Sequence, residues 1–257
     1  MKVLTLLLPF LFFSCSSIKK EQIQYATAKT KMKGHLVYND KSNAKVPGIL
    51  VVHEWWGQNE YAKKRAEMLA ELGYVALAVD MYGEGTTAKH PKEAKKFATA
   101  TFKNMKETKM RFRKALETLK NHPRVDKNRI AAVGYCYGGG IVLKMAADGE
   151  DLDGIVSFHG SVAHIKKIKK NLKTKLLVLN GEDDPLVKEA DLLALEKLAQ
   201  RRKANLKIVN YPDATHAFTN PGATEVGKKF KLPVAYNKEA DMESWNEMKS
   251  FLENLFN

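Results

Sequence analysis

Cysteine is scarce in this 257-residue chain, which has only Cys15 and Cys136. Two cysteines cannot build the disulfide framework that staples small secreted domains. Internal repeats, Pro-rich stretches and Gly/Ser-rich linkers are also lacking, and 44% apolar composition is enough for one large core, so the sequence predicts a single domain. No zinc pattern, helix-turn-helix or stripe of alternating aromatic and basic residues is present, which excludes nucleic acid as the expected partner. Acidic residues are in short supply: 29 against 43 Lys and Arg, a formal charge of +14. The lysines are spread along helical segments, as in Lys92-Glu93-Ala94-Lys95-Lys96, and are densest between Lys166 and Lys175. A solvated face is the plain reading of such a pattern, and attraction to anionic lipid or an acidic polymer is the sharper one.

The N-terminus reads as an export signal. Met1-Lys2 is a short positive region, and the apolar run from Val3 to Phe13 is too short to span a bilayer as a stable helix. Ser14-Cys15 at its end is similar to the lipobox of bacterial lipoprotein signal peptides, with Phe12 and Phe13 where leucine and a small residue are usual. The expectation is a lipidated Cys15, a tether over residues 16–28 and a periplasmic protein anchored to the membrane. An ordinary secreted protein cleaved nearby is the alternative. With Cys15 carrying lipid, Cys136 is left as a lone thiol in an oxidising compartment.

What is present around Cys136 points to chemistry. Arg129 to Val133 reads as a buried strand and Gly139 to Ala147 as a helix, with Gly134-Tyr135-Cys136-Tyr137-Gly138-Gly139 between them. A strand, a tight turn of the G-x-nucleophile-x-G form and a helix are the context of a nucleophile elbow. Flanking glycines are needed because side chains there would clash, and the helix N-terminus favours thiolate. Elsewhere strands alternate with helices. Expected strands cover 35–38, 48–53, 74–79, 154–158, 176–179 and 206–210; expected helices cover 59–72, a pair within 91–120, 192–200 and 241–255. This order predicts an α/β fold with a mainly parallel central sheet and helices on both faces. Loops beginning at His53, Tyr135, Asn180 and Tyr211 all follow strands and should meet at the carboxyl edge of the sheet. In the order nucleophile, acid, histidine, only His216 lies beyond the acidic loop, while the acid is one of Glu182, Asp183 and Asp184.

These segments together resemble the dienelactone hydrolase family over about residues 30–255: Val-Val-His-Glu54-Trp-Trp-Gly57, the thiol elbow, Gly181-Glu-Asp-Asp184-Pro-Leu-Val187 and Ala-Thr-His216-Ala-Phe218. The resemblance implies an α/β-hydrolase fold and a Cys136-His216-Asp184 triad cleaving a small ester or lactone without metal or organic cofactor. The family pattern selects Asp184 over Asp183. It gives Glu54 the role of holding Cys136 protonated until substrate arrives and then helping to deprotonate it. Backbone N–H groups of Tyr137, from elbow geometry, and of Trp55, from the resemblance, are expected to hold the oxyanion. Trp56, Tyr82, Tyr135 and Phe218 are expected along the substrate pocket, and His159 is read as a packing residue. Two family arginines that bind a substrate carboxylate are missing: Glu84 stands near one and Thr219-Asn220 near the other. Dienelactone is therefore not the expected substrate, and Pro221 to Asn237 reads as an insertion over the site whose Lys228, Lys229 or Lys231 could supply charge instead. A binding protein without activity at the membrane surface, or a peptidase or acyltransferase on the same fold, are the rival readings.

Overall fold

The structure, a computed structural model, describes residues 18–257 except residue 42. The lipidation site expected at Cys15 and the preceding segment lie outside the described residues.

Eight strands form one sheet in the order β1-β2-β4-β3-β5-β6-β7-β8. These are β1 (Ile18–Ala26), β2 (Lys31–Asn39), β3 (Val46–Val52), β4 (Val75–Val79), β5 (Val125–Tyr135), β6 (Gly154–Phe158), β7 (Lys175–Gly181) and β8 (Leu206–Tyr211). β1 pairs antiparallel with β2, and β2 with β4; every other pairing is parallel. The helices are α1 (Glu60–Glu71), α2 (Pro91–Lys103), α3 (Met105–Lys120), α4 (Tyr137–Ala147), α5 (Glu189–Arg202), α6 (Ala223–Phe230) and α7 (Lys238–Phe256). The α/β-hydrolase architecture expected from the element order is the one observed.

Central strands are apolar on both sides because both sides are covered. In β3, Leu50 and Val52 enter one core with Phe112 and Leu119 of α3 and Ile141 of α4. Ile49 and Val51 point the other way, into a second core with Leu69 of α1 and Met248 and Leu252 of α7. β4 repeats the alternation, with Val75, Leu77 and Val79 on the first face and Ala76 and Ala78 on the second.

One expectation needs correction. Residues 18–26, placed in a tether by the sequence reading, form β1 and extend the domain. Ile23 and Tyr25 share a face under the period-two rule, and Tyr25 is buried in the first core, while Lys19 and Lys20 are exposed. An edge strand with exposed lysines discourages pairing with other chains, and its weak alternation is why it reads as linker.

Candidate active site

Six strands of the parallel array deliver polar residues to one edge. β3 ends before His53 and Glu54, β4 before Asp80, β5 before Cys136 and β6 before His159; β7 leads to Asp184 and β8 to His216. The carboxyl ends of the strands therefore carry all the chemistry predicted for the chain.

Cys136 sits at φ 53°, ψ −114°, in backbone space that costs an L-residue energy and is held only by its surroundings. Those surroundings allow no side chains at the neighbouring glycines. A Cβ on Gly134 would lie 2.2 Å from the Gly138 carbonyl oxygen, and one on Gly138 would lie 2.2 Å from the Val52 carbonyl oxygen. The Cys136 N–H donates to the carbonyl of Phe158 at 3.0 Å and to His159 Nδ1 at 3.1 Å. Tyr137 opens α4, so its own N–H has no partner within the helix.

The acid is no longer ambiguous in geometry. Glu182 and Asp183 are exposed, whereas Asp184 is buried and its Oδ2 lies 2.7 Å from His216 Nδ1. Asp184 Oδ1 accepts the Leu186 N–H at 2.8 Å, which fixes the carboxylate plane. The His216 ring is buried, and burial by itself favours the neutral form. The Cys136 sulfur and the Asp184 carboxylate outweigh that penalty and raise the ring pKa to about 10. A ring of that pKa is cationic near neutral pH and would stabilise negative charge on a neighbouring sulfur.

Glu54 is buried at the same edge and accepts a hydrogen bond from Asn220 Nδ2 at 2.7 Å. Burial raises its pKa to about 7, against smaller opposing effects of Asn220, His216 and Arg65. A carboxyl whose folded pKa lies above its unfolded value holds its proton more tightly when folded. Its cost to stability is absent below the ordinary value of 4.5 and grows until pH passes about 7. Glu54→Gln, which keeps an acceptor for Asn220, should therefore be more stable than the parent by up to ~3 kcal/mol at about pH 8. The gain should vanish near about pH 4, and urea melts at the two pH values would show it. An equal gain at both would mean that the titration of Glu54 is not its source.

Two histidines work as fixed hydrogen-bonding parts, a role the sequence reading did not give them. The Met81 N–H donates to His53 Nε2, so Nδ1 carries the proton and donates to the Glu54 carbonyl. Burial pushes the His53 pKa down to about 4, which keeps this tautomer neutral. His159, read as packing, accepts from the Cys136 N–H and places Nε2 2.8 Å from Thr219 Oγ1. Since Nδ1 is the acceptor, Nε2–H is the donor, and burial holds the His159 pKa well below the ordinary value. Its ring meets His216 edge-on at 5.1 Å. Thr219 continues the chain to Tyr61, whose hydroxyl lies 2.6 Å away, and the Thr219 carbonyl accepts from the buried Arg65. Arg65 pairs with Asp241 of α7 at 2.5 Å. The signal for this network was the Thr219-Asn220 pair itself, noticed in the sequence only for its lack of arginine.

A cavity of about 510 Å³ opens on Cys136, Glu54 and His216. Its remaining wall is mostly apolar, with Trp55 and Trp56 on one side and Val226, Leu232, Pro233 and Val234 on the other. The insertion expected over the site thus supplies α6 and the strap after it. The strap is fastened to the histidine loop: the Ala235 N–H donates to the His216 carbonyl at 3.2 Å and the Asn237 N–H to the Phe218 carbonyl at 3.0 Å.

Several pocket expectations are corrected. Tyr135 is fully buried, stacked on Phe158 at 4.8 Å in the second core, because residues 131, 133 and 135 of β5 share that face. Phe218 is likewise buried, against Tyr211 and His159. Tyr82 stands behind the cavity wall rather than in it, donating its hydroxyl to the Trp55 carbonyl at 2.9 Å. Lys228, Lys229 and Lys231 do not reach the cavity. Lys228 pairs with Glu225 at 3.1 Å, and the Lys229 ammonium lies 5.1 Å from the centre of the Phe230 ring. Lys92 and Lys95 of α2 line the cavity in their place, and the sequence had offered them only as a solvated face.

Comparison with known proteins agrees with this arrangement. The dienelactone hydrolase family model matches residues 32–256. The protein named usf of Aquifex pyrophilus is 28% identical over 79% of this chain and 95% of its own length. A protein of Aquifex aeolicus with a provisional carboxymethylenebutenolidase name is 26% identical over 85% of this chain and 97% of its own. The solved structure of a dienelactone hydrolase-like promiscuous phosphotriesterase from metagenomic libraries superposes with a TM-score of 0.88 at 29% identity, covering 94% of this chain and 100% of that one. With its sheet order, thiol elbow and family match in agreement, the chain belongs to the dienelactone hydrolase family of the α/β-hydrolase superfamily and is a hydrolase.

Proposed function

We propose that the chain hydrolyses a small carboxylic ester or lactone through a thioester on Cys136, without a cofactor. The observation that carries this reading is that Cys136 and His216 line a common cavity while buried Asp184 holds His216 from behind. The Cys136 sulfur attacks the substrate carbonyl, and the resulting oxyanion is stabilised by the N–H groups of Tyr137 and Trp55. Collapse of that intermediate breaks the ester C–O bond, with the leaving oxygen taking a proton from cationic His216. Neutral His216 then takes a proton from water, hydroxide adds to the thioester carbonyl, and the acid product departs as the thiol is restored. Asp184 orients the imidazole and stabilises its charge throughout. In this reading Glu54, whose pKa burial raises to about 7 and which lines the same cavity, holds the thiol protonated until substrate arrives and then takes its proton.

The intermediate is the test. Acid quench during turnover of a p-nitrophenyl ester, followed by intact mass measurement and peptide mapping, should find the acyl group on the Cys136 peptide, and neutral hydroxylamine should remove it. Turnover without any acyl adduct on Cys136 would end the thioester reading. His216→Ala should slow adduct formation, by removing the leaving-group acid and the cation beside the sulfur, and should also slow its hydrolysis by removing the base.

A further inference from the structure

The two loops in which the namesake family carries its anion-binding arginines hold none here, and the cavity has gained charge somewhere else. Lys92 and Lys95 reach it from the first two turns of α2, three residues apart and so on one face of the helix. Glu93, the acid between them, turns away and caps the Lys89 N–H at 3.0 Å. Among the described residues no carboxylate pairs with either ammonium, whereas Lys228 of α6 is paired with Glu225. Apart from Glu54, His216 and Asn220, which share the cavity with Cys136, the rest of the lining is tryptophan, proline, alanine, valine and leucine. A cavity of about 510 Å³ has room for much more than an acetyl group and falls within the range of typical small-ligand sites.

We propose that the substrate is an amphiphilic anion: an ester whose apolar portion fills the cavity between the Trp55-Trp56 side and the α6 strap, with its anionic group against Lys92 and Lys95 at the mouth. The anion is then held at the far end of an apolar spacer from the reacting carbonyl, not clamped beside it. Apolar burial supplies most of the affinity, and the two ammonium groups select for charge and fix which end enters first. The proposal rests on the hydrolase reading for turnover, but its binding component does not.

Binding is measured first, with octyl sulfate and octyl glucoside below their micelle concentrations, followed by tryptophan emission because Trp55 and Trp56 line the cavity. The intact protein should prefer octyl sulfate, and Lys92→Glu/Lys95→Glu should lose about ten-fold in affinity for it while binding the glucoside as before. Lys228→Glu/Lys229→Glu changes the net charge equally on the outer side of α6 and should leave both affinities unchanged. Lys92→Gln/Lys95→Gln serves if the reversal fails to fold. Equal weakening by the α2 and α6 variants, or equal weakening for both amphiphiles, would overturn the proposal, since either would report the overall field or the fold. Kinetics follow with p-nitrophenyl octanoate and the p-nitrophenyl monoester of octanedioic acid. The acid-terminated ester should have the higher kcat/KM, and its advantage should shrink as salt rises from about 50 to about 500 mM. If the sulfate preference is present but neither ester turns over, the hydrolase reading fails and the anion site stands. Turnover of both esters without an anion preference in either experiment has the opposite meaning.

Discussion

Replacing Cys136 with alanine is expected to lower kcat/KM toward a small aryl ester by roughly 10⁴-fold or more, with the melting temperature little changed. The thiol has no counterpart in the site, since His216 is the base and Glu54 is bonded to Asn220. His216→Ala should cost a similar factor, because the leaving oxygen loses its proton donor, the hydrolytic water its base and the sulfur the cation that favours thiolate. Combining the two changes should cost little more than either alone, as expected of groups that act as one unit. Asp184→Asn is the subtler variant. An amide at that position can donate to His216 Nδ1, which fixes the neutral ring with its proton on Nε2 and leaves no lone pair to take a proton from the hydrolytic water. Its loss should be about 10³- to 10⁴-fold with KM nearly constant, and steady-state kinetics on all four proteins would test the set. Losses that multiply in the double variant would mean that sulfur and imidazole contribute independently, which the arrangement does not allow.

The largest stability effect is expected at Arg65. Its guanidinium is buried, with relative exposure of 4%, between the rings of Tyr61, Tyr135 and Trp245, and it satisfies both Asp241 and the Thr219 carbonyl. Arg65→Met should destabilise the domain by about 3–5 kcal/mol, because the half-buried Asp241 carboxylate keeps only the Tyr236 hydroxyl at 3.3 Å and the Thr219 carbonyl loses its buried donor. Most of that cost is the orphaned charge and not the lost attraction, so Arg65→Met/Asp241→Leu should recover part of it. Recovery should be incomplete, since the Thr219 carbonyl still lacks its donor. Urea unfolding of the three proteins would check this. A double variant less stable than Arg65→Met would show that the pair is worth more than its desolvation. Activity should fall as well, because Thr219 connects Arg65 to His159 and stands next to Asn220.

The sequence was legible where local pattern and chemistry coincide. The strand, glycines and helix around Cys136 constrain one another sterically, and only one histidine follows the acidic loop, so Cys136 and His216 could be singled out as candidates from order alone. Glu182, Asp183 and Asp184 were harder, since three adjacent carboxylates look alike until burial separates them. The pocket was misread for a different reason. Aromatic residues next to a nucleophile invite a substrate role, yet Tyr135 continues the alternation of Ala131 and Val133 and so points into the core. Lys92 and Lys95 illustrate the opposite limit. An exposed lysine on a helix has the same local sequence whether its neighbour is water or a cavity, and only the packing of α6 across the sheet edge distinguishes them. His159 and Thr219 were out of reach because their partners lie 23 and 60 residues apart in the chain.

The strap after α6 carries one more consequence. It forms the outer wall of the cavity and is also hydrogen-bonded to the backbone of the loop that bears the base. Wall and base are therefore a single mechanical piece. Residues such as Leu232 and Val234 can be exchanged to alter what fits, but a change in the length of the strap would drag the imidazole with it. Divergence toward new substrates should proceed here by side-chain substitution, with insertions and deletions confined to the solvent side of α6.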